Sequence, residues 1–174
     1  MTVTIRPLDP QADRGLVDAF WPAVADYTRL ERGDVPPPAE LSEEYFTAAP
    51  PGVDPATGLR LGLFERAELT GLAEVSFGFP APEDAYLGLM LLAAPVRGRG
   101  LGPRLLAEVE AQAFARGAPR LYLAVLDVNP RGRAFWQREG FQLHEAGRSV
   151  DLGALTQTAS RLVKPLGPAA RPAG

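Results

Sequence analysis

The chain has 174 residues, is 46% hydrophobic and 22% charged, and carries a net charge of −3, which suits one domain with a full core. That charge gives no global basic field for nucleic acid, and the absence of cysteine excludes disulfides, thiolate metal sites and a cysteine acyl-enzyme. His144 is the only histidine and no G-x-S-x-G occurs, so serine-hydrolase chemistry lacks its parts, and no metal site is expected.

Thr2–Pro7 alternates as a first strand. No charged-then-apolar leader precedes it, and no apolar run reaches the length of a membrane span. A cytoplasmic protein with no membrane partner is expected. The richness in Arg, Ala, Pro and Gly, with Lys164 the only lysine, suggests a GC-rich bacterial genome. Gly15–Leu30 follows, with Leu16, Phe20, Val24 and Tyr27 near helical spacing. "GDVPPPAE" breaks the chain, and a second helix begins near Pro38, acidic through Glu40, Glu43 and Glu44. Leu59–Glu65 and Leu72–Phe79 read as a strand pair around "RAELTG". Ala85–Leu92 is almost wholly apolar, which predicts a strand buried on both faces.

After a glycine-rich corner, Pro103 suits the first turn of a helix whose apolar face is Leu105, Leu106, Val109 and Ala113, ending at Arg116 and Gly117. Arg120–Leu126 is another strand. Asn129 caps a helix that starts at Pro130 and stops at Gly140. Phe141–His144 and Ala159–Lys164 are weaker strands. The pattern predicts a mixed α/β (α+β) sheet over a single domain, residues 1–166, with a disordered tail at 167–174.

The corner, "APVRGRGLGP", holds the chemistry. Gly98, Gly100 and Gly102 let backbone N–H groups converge on an anion where a helix begins, and Arg97 and Arg99 add full positive charge. So many donors suit a pyrophosphate better than a carboxylate; a plain flexible turn with solvated arginines is the alternative. A Walker loop is excluded because no lysine follows, and a Rossmann fingerprint because the spacing is G-x-G-x-G.

The corner resembles the coenzyme loop of the GNAT N-acetyltransferases, [RQ]-x-x-G-x-[GA], through Arg97, Gly100 and Gly102. Val125, Asn129, Ala134, Phe135, Gly140 and Phe141 match a second block of that family. The resemblance implies a GNAT fold: a mixed sheet of about six or seven strands, splayed between the fourth and fifth, flanked by about four helices. It also implies acetyl-CoA as cosubstrate. Met90, Leu91 and Leu92 would then pair by backbone with the pantetheine arm, and one of their amides would polarise the thioester carbonyl. Arg97, Gly98, Arg99, Gly100, Leu101, Gly102 and Pro103 would wrap the pyrophosphate. Asn129 would reach the pantetheine or acetyl group, or serve only as a helix cap. A homodimer is among the assemblies the family uses.

Two positions depart from the pattern. Trp136 stands where many members have a tyrosine acid, and its indole N–H gives up no proton at neutral pH; it reads as packing beside the coenzyme. Ala124 stands where one branch has a glutamate base. A thiolate with a thiol pKa of ~8.5 leaves tolerably without an acid, but an ammonium of pKa ~10 needs a base. Glu74 is the first candidate, with an ordinary solvent-facing strand carboxylate as the alternative. Tyr86, ordering a water, and Asp127 follow. The function expected is acetyl transfer from acetyl-coenzyme A to a primary amine by direct attack, the acceptor being a small-molecule, peptide or protein amine. A coenzyme-binding sensor without turnover and a transferase for a longer acyl group are the alternatives.

Overall fold

The computed structural model describes residues 2–168; of the expected tail, residues 169–174 lie outside that range. Seven strands, β1 (Val3–Pro7), β2 (Leu59–Glu65), β3 (Glu68–Phe77), β4 (Ala85–Leu92), β5 (Arg120–Leu126), β6 (Gln142–Leu152) and β7 (Leu155–Pro165), form one sheet. Their order is β1-β2-β3-β4-β5-β7-β6. Only β4 and β5 run parallel. The α-helices are α1 (Arg14–Phe20), α2 (Ala25–Arg32), α3 (Pro38–Thr47), α4 (Leu101–Ala115) and α5 (Pro130–Arg138).

The helix expected over Gly15–Leu30 is broken by a 3-10 turn at Trp21–Val24. Pro22 has no N–H to continue the α-helical ladder, so α1 ends before it. The buried side is Val17, Phe20, Trp21 and Val24, whereas Leu16 is exposed. The loop expected over "RAELTG" shrinks to Arg66 and Ala67, because Arg66 takes a left-handed φ of 58° and Glu65 pairs directly with Glu68. The two weak C-terminal strands are parts of a long hairpin, β6 and β7, turning at Gly153 and Ala154. Residues 145–158 carry no apolar alternation because most are exposed on both faces. The backbone ladder forms that hairpin, and side-chain burial does not announce it.

Helices cover both faces of the sheet, so every residue of β2 and Leu69–Ser76 of β3 are buried. The layers can be told apart along β7. Lys164 Nζ bonds Glu110 Oε1 of α4 at 2.5 Å and lies over the Phe141 ring that follows α5. Seven residues earlier, on the opposite face, Gln157 Nε2 donates to the Leu30 and Glu31 carbonyls of α2 at 2.7 and 2.8 Å. Thus α4 and α5 lie on one side and α1–α3 on the other.

Two irregularities shape β4. It pairs with β5 only from Ala85–Leu87 to Leu121–Leu123, after which the strands part. On its other edge Val75 faces Leu87 while Glu74 faces Leu89, so Gly88 is the extra residue of a β-bulge. The burial expected on both faces of β4 therefore fails beyond Leu87: Gly88 is exposed, and Leu89, Met90 and Leu92 are only half-buried.

Candidate functional site

The parting of β4 and β5 opens a cleft of about 590 Å³. One wall is β4 from Leu87 to Leu92, whose outer backbone edge has no strand partner past Leu87. The other is Leu123–Leu126 with Asn129, Phe135 and Trp136 of α5. Gly98, Gly100, Gly102 and Pro103 close one end, and Asp26, Tyr27 and Leu30 of α2 lie across it. The cleft brings together Met90, Leu91, Leu92, Arg97, Gly98, Gly100, Gly102, Pro103, Asn129 and Trp136. Arg99 and Leu101 stay off its wall: Leu101 is buried in the core, and Arg99 turns to β2, donating to Glu65 at 3.0 and 2.7 Å.

Gly98 and Gly100 have φ of +75° and +77°, a left-handed conformation that side chains resist. Nothing lies within 4 Å of a Cβ built on either, so backbone conformation, not crowding inside the protein, requires glycine there. No side chain caps the N-terminus of α4, so its first amides and dipole face the cleft end. Gly102 has a different cause: a Cβ would sit 3.1 Å from Phe135, so glycine lets α4 and α5 approach. Arg97 is not a free cation. Its guanidinium donates to Asp26 at 2.5 and 3.0 Å and to the Leu92 carbonyl at 2.9 Å. Sequence reasoning missed Arg131 and Arg138, which line the cleft from α5; their seven-residue spacing, two helical turns, was the available signal. Asp26 gave none, because its partner is 71 positions away.

Asn129 accepts from the Gly132 amide at 2.9 Å as the cap of α5, and it also lines the cleft. Trp136 packs edge-on against Phe135 and Phe141. Ala124, on the cleft wall, offers no polar group.

Glu74 is not a solvent-facing carboxylate; it is 4% exposed. It lies opposite Arg60 on the α1–α3 side, with Arg60 Nη2 at 3.9 Å. The Ser76 hydroxyl donates to Oε1 at 2.7 Å. Oε2 lies against Gly88, where an added methyl group would overlap it. Burial pushes its pKa above the ordinary carboxylate value, with Ser76 and Arg60 pulling part of the way back. Tyr86 faces Ser76 on the same side, edge-on to Phe79 and off the cleft wall. Burial raises its pKa, so it stays a neutral phenol. Asp127 is tied to Arg133 and Ser160 and is also off the wall. Among the described residues no cluster of His, Cys, Asp and Glu could hold a metal, and no helix is long and apolar enough to cross a membrane.

Residues 21–141 match the model of the Acetyltransferase (GNAT) family. The fold superposes on an acetyltransferase from Thermus thermophilus with a TM-score of 0.77 and 27% identity, covering 95% of this chain and 98% of that one. A Bacillus subtilis acetyltransferase in complex with CoA has a TM-score of 0.65 at 13% identity, over 95% of this chain and 99% of that one, a likeness of fold alone. Mouse N-alpha-acetyltransferase 80 is 36% identical over 77 residues, 44% of this chain, and the match spans only 23% of that protein.

Proposed function

The chain belongs to the acetyltransferase (GNAT) family, and from that premise we propose that it is an acetyl-coenzyme-A-dependent N-acetyltransferase acting on a primary amine by direct attack. The observation that carries this reading is the cleft between β4 and β5. It runs from an uncapped helix start with two left-handed glycines to the bulge where Glu74 Oε2 meets Gly88. Two of its features fit the coenzyme: converging amides at the corner suit a diphosphate, and an unpaired strand edge along the middle suits an amide-bearing arm.

When bound, the coenzyme supplies an acetyl group activated as a thioester. Gly98, Gly100 and the first turn of α4 offer amides to its phosphates, with Arg131 and Arg138 adding charge nearby. Amides of the β4 edge beyond Leu87 hold the arm and polarise the acetyl carbonyl. Glu74 accepts the proton of the attacking amine, directly or through one water, as the new C–N bond forms and the C–S bond breaks. The sulfur departs as thiolate, so Trp136 need donate nothing. The parted strands and α2 hold amine and thioester in one place.

The test is thiol release from acetyl-coenzyme A with a panel of amines, with the product identified by mass. An N-acetylated amine formed in step with thiol supports the reading. Tight coenzyme binding with no turnover on any amine would instead assign a sensor, and a faster propionyl or succinyl donor would reassign the acyl group.

A further inference from the structure

Beside the coenzyme cleft lies a second cavity of about 160 Å³, between α2, α3 and the bulge of β4. Tyr27, Gly88, Leu89 and Leu91 line both, so a group in the small cavity faces the cleft at the end away from the glycine corner. The small cavity's charged lining is Glu31, Glu44 and Glu74 against Arg32. Arg32 is bonded to Glu44, and its Nε stands 3.7 Å from Glu31. Of the other polar groups there, Trp21 Nε1 donates to Ser42 at 3.0 Å, the Tyr45 hydroxyl to the Ala73 carbonyl at 2.9 Å and the Thr28 hydroxyl to the Val24 carbonyl at 3.3 Å, while the Tyr27 hydroxyl makes no hydrogen bond among the described residues. The Trp21 and Tyr45 rings therefore present apolar walls. Among these carboxylates Glu74 is the one that points to a ligand. It is 4% exposed, and its Oε2, aimed at Gly88, has no hydrogen-bond partner among the described residues.

Resting on the acetyl-transfer reading above, we propose that the acceptor is a short, unbranched alkylamine bearing a second positive charge and no carboxylate. Its reacting nitrogen lies at Glu74 and Gly88, and its distal cation faces Glu31. A volume of about 160 Å³ matches the ~150 Å³ cavity that takes a benzene, so the pocket admits about six heavy atoms. The methylenes pack on Trp21 and Tyr27, whose ring faces also favour a cation. A carboxylate in the distal position would meet Glu31 with like charge.

The experiment compares 1,4-diaminobutane, butylamine, 4-aminobutanoate and an alanine-led tripeptide amide as acceptors for the full chain and for Glu31→Gln. The diamine should exceed butylamine in kcat/KM by at least about tenfold, with 4-aminobutanoate and the tripeptide poorer still. In Glu31→Gln the diamine's advantage should fall below about threefold, through KM. Butylamine, 4-aminobutanoate or the tripeptide matching the diamine would overturn the proposal and leave acetyl transfer standing. Should no amine turn over, calorimetry of 1,4-diaminobutane and butylamine against the coenzyme-A-loaded chain decides. Preferential diamine binding would keep the pocket assignment while the transferase reading fell; equal binding would remove the assignment too.

Discussion

A carboxylate that is 4% exposed costs stability unless something compensates it. Glu74 is only partly compensated: one oxygen takes the Ser76 hydroxyl, and Arg60 stands at 3.9 Å, beyond hydrogen-bond distance, while its Nε, Nη1 and Nη2 donate to the Tyr45, Pro55 and Ala48 carbonyls. Its folded-state pKa is raised, so its proton is held more tightly when folded, and stability falls as pH climbs through that raised value. Glu74→Gln should therefore be no less stable than wild type at neutral pH in urea unfolding. Its kcat/KM should fall by at least about 100-fold with coenzyme affinity unchanged. The wild-type rate should drop as pH falls through the raised Glu74 pKa, and the variant should lack that limb; a shared profile would remove Glu74 from the mechanism. Asp13 is the opposite case. Hydrogen bonds from Arg6, and then from the Asp9 amide, hold it down from 3.8 to about 2. Its contribution is complete above the unfolded value and is lost as pH falls through the folded one. The stability gap between wild type and Asp13→Asn should stay constant near neutrality and close between about pH 4 and about pH 2.

Helix α2 connects the two cavities. Asp26 holds Arg97 at the glycine corner, while Tyr27 and Glu31 line the small pocket. A phosphate arriving at the corner competes with Asp26 for that guanidinium. Asp26→Asn should tighten coenzyme binding by about three- to tenfold and steepen its loss with salt, measured by calorimetry; weaker binding would mean that Asp26 positions Arg97 and does not mask it. The glycine corner was legible in sequence because Gly98 and Gly100 answer to backbone conformation, a local property. The reason for Gly102 was not, since it lies in a contact with Phe135, 33 positions on. Likewise Pro22 marked a break that apolar spacing overrode. The β6–β7 hairpin was half hidden because its exposed middle lacks the alternation that burial imposes.

At the scale of the molecule, the mixed sheet followed from strand and helix order, and the parting of β4 and β5 came only through family resemblance. Nothing in "AYLGLMLL" states that pairing stops after Leu87; an apolar run reads equally well as a doubly buried strand. The acidic pocket was half visible. Glu44 stood in a recognisable acidic helix, but Glu31 reaches the pocket only through the fold of α2 over β4. Because the coenzyme would bridge β4, α4 and α5, its binding should stabilise the whole domain by mass action. At about 100 times Kd, acetyl-coenzyme A should add about 2.7 kcal/mol, and raise Tm by about 5–10 °C for a chain of this size. The most direct measurement is a calorimetric titration of acetyl-coenzyme A into the wild-type chain and into Gly100→Glu, which sets a bulky negative side chain on the left-handed residue at the start of α4. One-to-one binding by the wild type, weakened at least about 100-fold in the variant, is the expected result. Equal binding by the two, or none by the wild type, would contradict a coenzyme site at this corner and the acetyl transfer built on it.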